Sequence, residues 1–414
     1  MKLWKHQQEI IDRNPEKELL PHSTGTGKTL TLCSLANKNK GKWLIICPKA
    51  LTGQWEDKIK EYKFNFEHVI LSKENFKKQS EKLPKMNVII DEAHNVSGMQ
   101  GIKKKSGLLK AVLSYIKKHN PERIYLATAT PYMSTPWNIF ALSEILGKGW
   151  DYKKFKAMFF QDVNMGMRWP IPVIRKQIDW NSGIIPVEKA IELCVKKLGT
   201  PIKLQDCFDV PEQTFITEYF DLTDSQKEAI DNLDELLPIS RWTKIHQICG
   251  GSLKSDGYSK TMRFKCQKLD KLEELLIEHP KLIIVSRYRE EAEMIGEFIK
   301  DRPVTHINGS VKDRNSEVKK AEELDKCVVI IQSACCEGYQ LPSFPVMVFY
   351  SYDFSLKNYQ QMIGRILRGD KLKKNLYISL IIKKTIDQEI KKCIDNKCDF
   401  DIAIYGKSLK KTNK

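Results

Sequence analysis

No apolar run in this 414-residue chain approaches the roughly 18–20 residues that a membrane-spanning helix needs. The opening residues Met1-Lys2-Leu3-Trp4-Lys5-His6 lack the apolar core of a signal peptide, which argues against secretion. No Cys-x-x-Cys pair occurs among the 11 cysteines: Cys335 and Cys336 are adjacent, and Cys393 and Cys398 are too loosely spaced to signal zinc. Thiols such as Cys33, Cys47 and Cys327 fall inside apolar segments, so reduced, buried side chains in a reducing cytoplasm are expected (a host's cytoplasm for a viral chain). Internal repeats and low-complexity tracts are missing as well. Negative charge is in short supply. Lys plus Arg number 69 against 52 Asp plus Glu, a formal net charge of +17. Such a balance suggests a polyanionic partner, because neutralising phosphates releases counterions; a compositional bias toward lysine is the bland alternative.

Hydrophobic residues make up 41% of the chain, enough for two or three packed domains. In the first third, Trp43–Cys47, Met86–Ile90 and Arg123–Ala127 read as short apolar strands separated by helix-length stretches. That alternation predicts a doubly wound parallel sheet, whose ligands bind just beyond the strand ends. The last third repeats the pattern with Leu282–Val285, Val328–Ile331, Val346–Phe349 and Tyr377–Ile382, and with a helix over Arg289–Lys300. The stretch between carries Trp150, Trp169, Trp180 and Trp242 and few clean strand signals, so it reads as a mostly helical connector. Helices are expected there over Ser225–Leu237 and Lys268–Glu278. The expected division is 1–140, 141–264 and 265–414.

Chemistry concentrates in two runs. Ser23-Thr24-Gly25-Thr26-Gly27-Lys28-Thr29 is a glycine-rich turn ending in Lys-Thr, able to wrap backbone N–H groups around a triphosphate. Lys28 would reach the β- and γ-phosphates and Thr29 would ligate Mg²⁺. His22 stands where a strict phosphate-loop pattern has its first Gly. Asp91-Glu92-Ala93-His94 follows the apolar run Val88-Ile89-Ile90, putting two adjacent carboxylates at a strand end. Asp91 suits the metal, and Glu92 suits the water as general base. His94 reads as a link from this run to the opposite domain, not as a metal ligand. The two runs together predict hydrolysis of a nucleoside triphosphate with Mg²⁺.

In order along nearly the whole chain, these motifs resemble a superfamily 2 DEAH-box helicase or ATPase, most like the Swi/Snf-type translocase branch. Leu3-Trp4-Lys5-His6-Gln7 resembles the adenine-reading region, with Gln7 as the implied base contact. Leu44-Ile45-Ile46-Cys47-Pro48 followed by Gln54-Trp55 is similar to motif Ia, and Thr128-Ala129-Thr130-Pro131 to motif III, which implies coupling roles for Thr128 and Thr130. Gln361-Met362-Ile363-Gly364-Arg365-Ile366-Leu367-Arg368 matches QxxGRxxR, which implies that Gln361, Arg365 and Arg368 serve catalysis. Arg365 and Arg368 lie three apart, so one helical face would present both guanidiniums, with Arg368 as the arginine finger. The segment Gln332–Leu341 resembles motif V: Gly338 is kept in a nucleotide-binding role, Gln340 stands in place of Asn or Asp, and Cys335-Cys336 replace two glycines. The Swi/Snf ending after motif VI is altered to Gly369-Asp370-Lys371, and Thr385–Ile390 resembles that branch's closing helix.

The resemblance implies two RecA-like α/β domains with ATP at their interface and nucleic acid across both. Lys49, Gln54, Arg287, Arg289 and Gly309 are candidate nucleic-acid contacts, and the lysine clusters 103–105 and 371–374 could track phosphates. DNA is favoured over RNA by the DEAH box and the Swi/Snf-like segments. The expected activity is an ATP-dependent DNA helicase or double-strand translocase. An RNA helicase and a non-translocating nucleic-acid clamp are the alternatives, and no membrane association is expected.

Overall fold

The computed structural model describes residues 3–101, 104–132, 135–163, 171–181, 183–207, 211–233, 238–254, 261–311, 313–367, 374–396 and 400. The chain divides into two compact units, 1–209 and 210–414. Among the described residues no helix is long and apolar enough to cross a membrane.

The first unit is built on five parallel strands, β1 (Lys17–Leu20), β2 (Lys42–Cys47), β3 (Glu67–Ser72), β4 (Asn87–Asp91) and β5 (Ile124–Ala127), in the order β1-β5-β4-β2-β3. Alternate residues of each strand point to opposite faces, and both faces are covered. Leu20, Trp43, Ile45, Ile89 and Tyr125 pack against α1 (Lys5–Arg13), α2 (Lys28–Asn39) and α3 (Thr52–Glu61). After α4 (Lys73–Gln79), the helices α5 (Gly107–His119), α6 (Trp137–Ile145), α7 (Tyr152–Phe159) and α8 (Val187–Leu198) share the other core cluster with Leu19, Leu44, Val88, Ile90 and Leu126. Helix ends follow local chemistry. Ser106 accepts from Leu109 N–H to start α5, and left-handed Asn120 stops it.

The second unit has six parallel strands in the order β10-β17-β16-β13-β15-β14. They are β10 (Gln213–Phe220), β13 (Lys281–Ser286), β14 (Val304–Ile307), β15 (Cys327–Gln332), β16 (Val346–Phe349) and β17 (Asn375–Ile382). Before β13 come α9 (Asp224–Asp231), α10 (Pro238–Cys249), the hairpin of β11 (Ser252–Lys254) and β12 (Thr261–Arg263), and α11 (Gln267–Glu278). Helices α11 and α12 (Arg289–Phe298) cover one face, packed on Leu282, Ile284, Val328 and Val348. The other face, with Ile283, Val285, Val329 and Met347, packs against α10, α13 (Arg314–Glu323), α14 (Leu356–Ile363) and α15 (Ile386–Asp395).

The expected helical connector 141–264 is corrected in two ways. It does not stand apart, because α6 to α8 bury Phe140, Leu142, Phe155, Phe159, Ala190, Cys194 and Leu198 in the first unit's core. Nor is it mostly helical. It holds the hairpins β6 (Phe160–Val163) with β7 (Ile171–Ile174) and β8 (Gln177–Trp180) with β9 (Gly183–Pro186), as well as β10. The aromatic residues drive this packing: Trp137 stacks on Phe160 at 4.7 Å and Trp150 on Phe155 at 5.5 Å. The helix expected over Ser225–Leu237 is observed as Asp224–Asp231, with 234–237 outside the described residues, as is Trp169.

Candidate ATP site

In the first unit the phosphate loop leaves β1 and feeds α2. Gly25 and Gly27 take φ of 86° and 75°, the left-handed region where a side chain is strained, and this turns backbone N–H groups inward. Gly27 has a second constraint, since a Cβ there would lie 2.5 Å from Gln7 Nε2. No side chain caps the start of α2 and no acidic residue lies in its first turn, so its N–H groups and positive dipole end suit an anion. Thr24 is half-buried in the turn, and the buried Thr26 donates its hydroxyl to Ser23 O at 2.8 Å. Lys28 Nζ donates to His22 O at 2.9 Å and to Ser23 O at 3.1 Å, which fixes the ammonium inside the loop. Thr29 follows in the first turn of α2.

Gln7, on α1, is buried against this loop. Its Nε2 donates to Gly27 O at 3.1 Å and its Oε1 accepts from Trp4 N–H at 2.8 Å. The neighbouring His6 bonds Thr26 O at 3.1 Å. A second support comes from residues after α8, which nothing in their composition announces. Ser23 N–H donates to Ile202 O at 2.9 Å, His22 pairs with Ile202 as an isolated bridge, and Leu204 lies against Gly25. Cys207 Sγ is 3.5 Å from His6 Nδ1. His22 is buried, and desolvation, with His6 and Lys28 nearby, pushes its imidazole down to about 3. A neutral ring therefore occupies the place of the pattern's first Gly.

At the end of β4, Asp91 is buried, with Oδ1 accepting Glu92 N–H at 2.9 Å and Oδ2 accepting the indole Nε1–H of Trp55 at 3.0 Å. Burial, then the charge of Glu92, pushes its carboxyl up to about 6, while Lys28 works the other way. Glu92 itself is left-handed at φ 50°, a conformation that costs a non-glycine residue energy and that aims it away from the strand. Glu92 Oε2 lies 3.2 Å from His94 Nδ1, and that nitrogen lies 2.9 Å from Thr128 Oγ1 and 3.5 Å from Thr130 Oγ1. Thr128 N–H donates to Leu20 O at 3.2 Å, tying the group to the strand that launches the phosphate loop. The predicted residues Gln7, Thr24 to Thr29, Asp91, Glu92, His94, Thr128 and Thr130 thus share one edge of one sheet. Trp55, part of the run similar to motif Ia but given no role there, joins them.

These residues fit ATP with Mg²⁺. The buried Asp91, whose charge is opposed by the neighbouring Glu92, gains from a cation, and Asp91 and Thr29 supply the hard oxygen donors Mg²⁺ prefers. Among the described residues no group of three His, Cys, Asp or Glu side chains could hold a metal by itself, so any Mg²⁺ would take further oxygens from phosphate or water.

In the second unit Gln361 lies buried in the last turn of α14, and its Oε1 accepts the thiol of Cys336 at 3.0 Å. Arg365 corrects the expected helical pair: α14 stops at Ile363, and Arg365 lies in the turn beyond Gly364. Its NH1 donates to Tyr339 O at 2.6 Å, which buries the guanidinium and draws the chain off the helix. Gly338, at φ 95°, precedes that tyrosine. Arg368, Gly369, Asp370 and Lys371 lie outside the described residues, as do Lys103 and Lys373.

The nucleic-acid candidates scatter over both units. Lys49 is exposed in the turn after β2, Gln54 half-exposed on α3, and Gly309 exposed after β14. Arg289 is exposed and pairs with Glu293 along α12. Arg287 is engaged within the fold, ion-paired to Asp353 with its guanidinium 3.7 Å from the Phe354 ring centroid. Lys105 pairs with Glu144 and Lys374 with Glu212.

Residues 267–370 match the family described as Helicase conserved C-terminal domain. The match begins with α11 and runs through β13 to β16 and Gln361, so the second unit's sheet is a RecA-like domain. It supports a helicase-type protein of superfamily 1 or 2, with a helicase or translocase type of function on nucleic acid. A search of curated proteins finds no match to the chain.

Proposed function

We propose that the chain is an ATP-dependent DNA helicase or double-strand DNA translocase of the DEAH-box, Swi/Snf-like kind. The observation that carries this is the phosphate loop holding Lys28 near the buried Asp91 and its neighbour Glu92, in a chain whose second unit matches a helicase domain. Lys28 and the loop N–H groups bind the β- and γ-phosphates, and Gln7 borders the base. Thr29 and Asp91 would hold Mg²⁺, which when bound would supply positive charge beside the phosphates. Glu92 orients the attacking water and takes its proton. His94, Thr128 and Thr130 tie that carboxylate to the strand ends, so a shift at either is felt by the other. Gln361, Arg365 and Arg368 are the catalytic residues that the QxxGRxxR run of the second unit assigns to the reaction. The net charge of +17 supports a phosphate-backbone partner, and the DEAH spelling favours DNA over RNA.

The test is ATP turnover with single-stranded DNA, duplex DNA and RNA in parallel, each paired with strand displacement and with displacement of a triplex-forming strand. Stimulation by DNA with displacement of either kind is expected. Stimulation by RNA alone would move the assignment to an RNA helicase. DNA-stimulated turnover that displaces nothing would make the protein a clamp.

A further inference from the structure

Gln361 has 2% of its surface exposed, and its amide is held at one end only. Oε1 accepts the Cys336 thiol at 3.0 Å, while the buried Nε2 meets no acceptor among the described residues. Native folds rarely leave buried donors unspent without a use for them. Turned over, the amide would offer N–H groups to a sulfur, a weak acceptor, and would bury Oε1 without a donor. The thiol is what sets the orientation.

Cys336 suits that task. Burial pushes its thiol up to about 12, so the sulfur keeps its proton and donates. Its backbone closes the short turn Ser333–Cys335 that leaves β15, two residues before left-handed Gly338. The other acceptor in reach, Asn358 Oδ1, is farther from the sulfur at 3.7 Å, and Asn358 is itself tied through Nδ2 to Asp353.

We infer that Cys336 is a positioning residue for ATP hydrolysis, clamping the Gln361 carbonyl so that the amide N–H groups are held in one orientation and left unspent. The inference rests on the ATPase assignment above. A thiol replaces a bare backbone here, so the donors of Gln361 are aimed before nucleotide arrives and need not be ordered in the transition state.

Full-length Cys336→Ala, Cys336→Ser, Gln361→Ala and the double variant C336A/Q361A decide it. Cys336→Ala should lower kcat by about 10- to 100-fold with KM for ATP within about twofold of wild type. Cys336→Ser keeps a donor and should recover most of that loss. In the Gln361→Ala background, Cys336→Ala should cost nothing more. Losses that multiply independently, or a loss confined to KM, overturn the inference. The infrared S–H stretch supplies a readout apart from turnover. The band removed by the Cys336 substitutions should sit at a hydrogen-bonded position in wild type and shift to the free position in Gln361→Ala. A free-thiol band in wild type overturns the inference, and this holds through Cys336→Ser even if the alanine variant does not fold. Wild-type protein without ATP turnover, or Lys28→Ala with full turnover, removes the ATPase assignment and the inference with it. An inactive Lys28→Ala beside a Cys336→Ala equal to wild type removes the inference alone.

Discussion

Each unit buries an aspartate at the C-terminal side of its sheet, and the two behave oppositely. Asp91 is pushed up to about 6 by burial and by Glu92, with Trp55 and a backbone N–H as its donors. Burial acts on Asp387 in the same direction, yet the Lys268 ammonium at 2.5 Å, with His246 beside it, holds that carboxyl down at about 2. The difference is a cation of the chain's own. Lys268 is wholly buried and also donates to Tyr350 O at 2.8 Å, so the second unit neutralises its acid internally and locks α10, α11 and α15 around the sheet. In the first unit the nearby ammonium of Lys28 is committed to loop carbonyls. One edge is finished by its own side chains, while the other is left for a ligand to finish.

Breaking the first edge should have the largest effect. Lys28→Ala should abolish ATP turnover while circular dichroism stays that of wild type; a variant with full turnover would sink the assignment. Arg368→Ala should lower kcat by about 10³–10⁵ if the guanidinium acts as a finger, read by steady-state ATPase. Weaker ATP binding at unchanged kcat would instead make it a ground-state contact.

Breaking the second edge should leave chemistry alone and cost stability. Lys268→Ala strands Asp387 as a buried charge, and about 3–5 kcal/mol of local stability should go, read by faster amide exchange in β17 and α15. Unchanged exchange there would show the pair to be dispensable. The smallest effect is expected at Glu291, buried on α12, where it accepts from Ser351 and from Arg287 N–H. Burial raises this carboxyl from 4.5 to about 7, so the stability it contributes is full below its unfolded pKa and is lost as pH rises through 7. Glu291→Gln should therefore gain on wild type between pH 5 and 8, by up to about 3 kcal/mol, in denaturant midpoints measured across that range. A gap that does not change with pH would show that Glu291 ionises without penalty.

The strands legible in the sequence were those buried on both faces, such as β2, β4, β13 and β15, because only these make continuous apolar runs. Within the two large sheets, the four that were not read, β1, β3, β10 and β14, are the edge strands. An edge strand has one neighbour and keeps polar residues, as Glu67, His68, Gln213 and Thr214 show, so its pattern blurs into loop. The site divides along a similar line. Phosphate loop, Asp91, Glu92, His94 and Thr128 follow from local patterns at strand ends. Ile202 and Leu204 come to their places by tertiary packing and no spacing reveals them, while Trp55 and Cys336 lie in motif-like runs that give them no role. The helix expected to carry Arg365 ends early because burying one guanidinium on Tyr339 O outweighs continuing the turn.

The stretch Ile202–Cys207 leaves the first unit while serving as a wall of the phosphate loop, through Ser23, Gly25 and His6. In mechanical terms it is a lanyard. A pull on the backbone at Cys207 would reach the Ser23–Thr29 loop through Leu204 at Gly25 and Ile202 at Ser23. The candidate phosphate loop would thereby feel that pull directly.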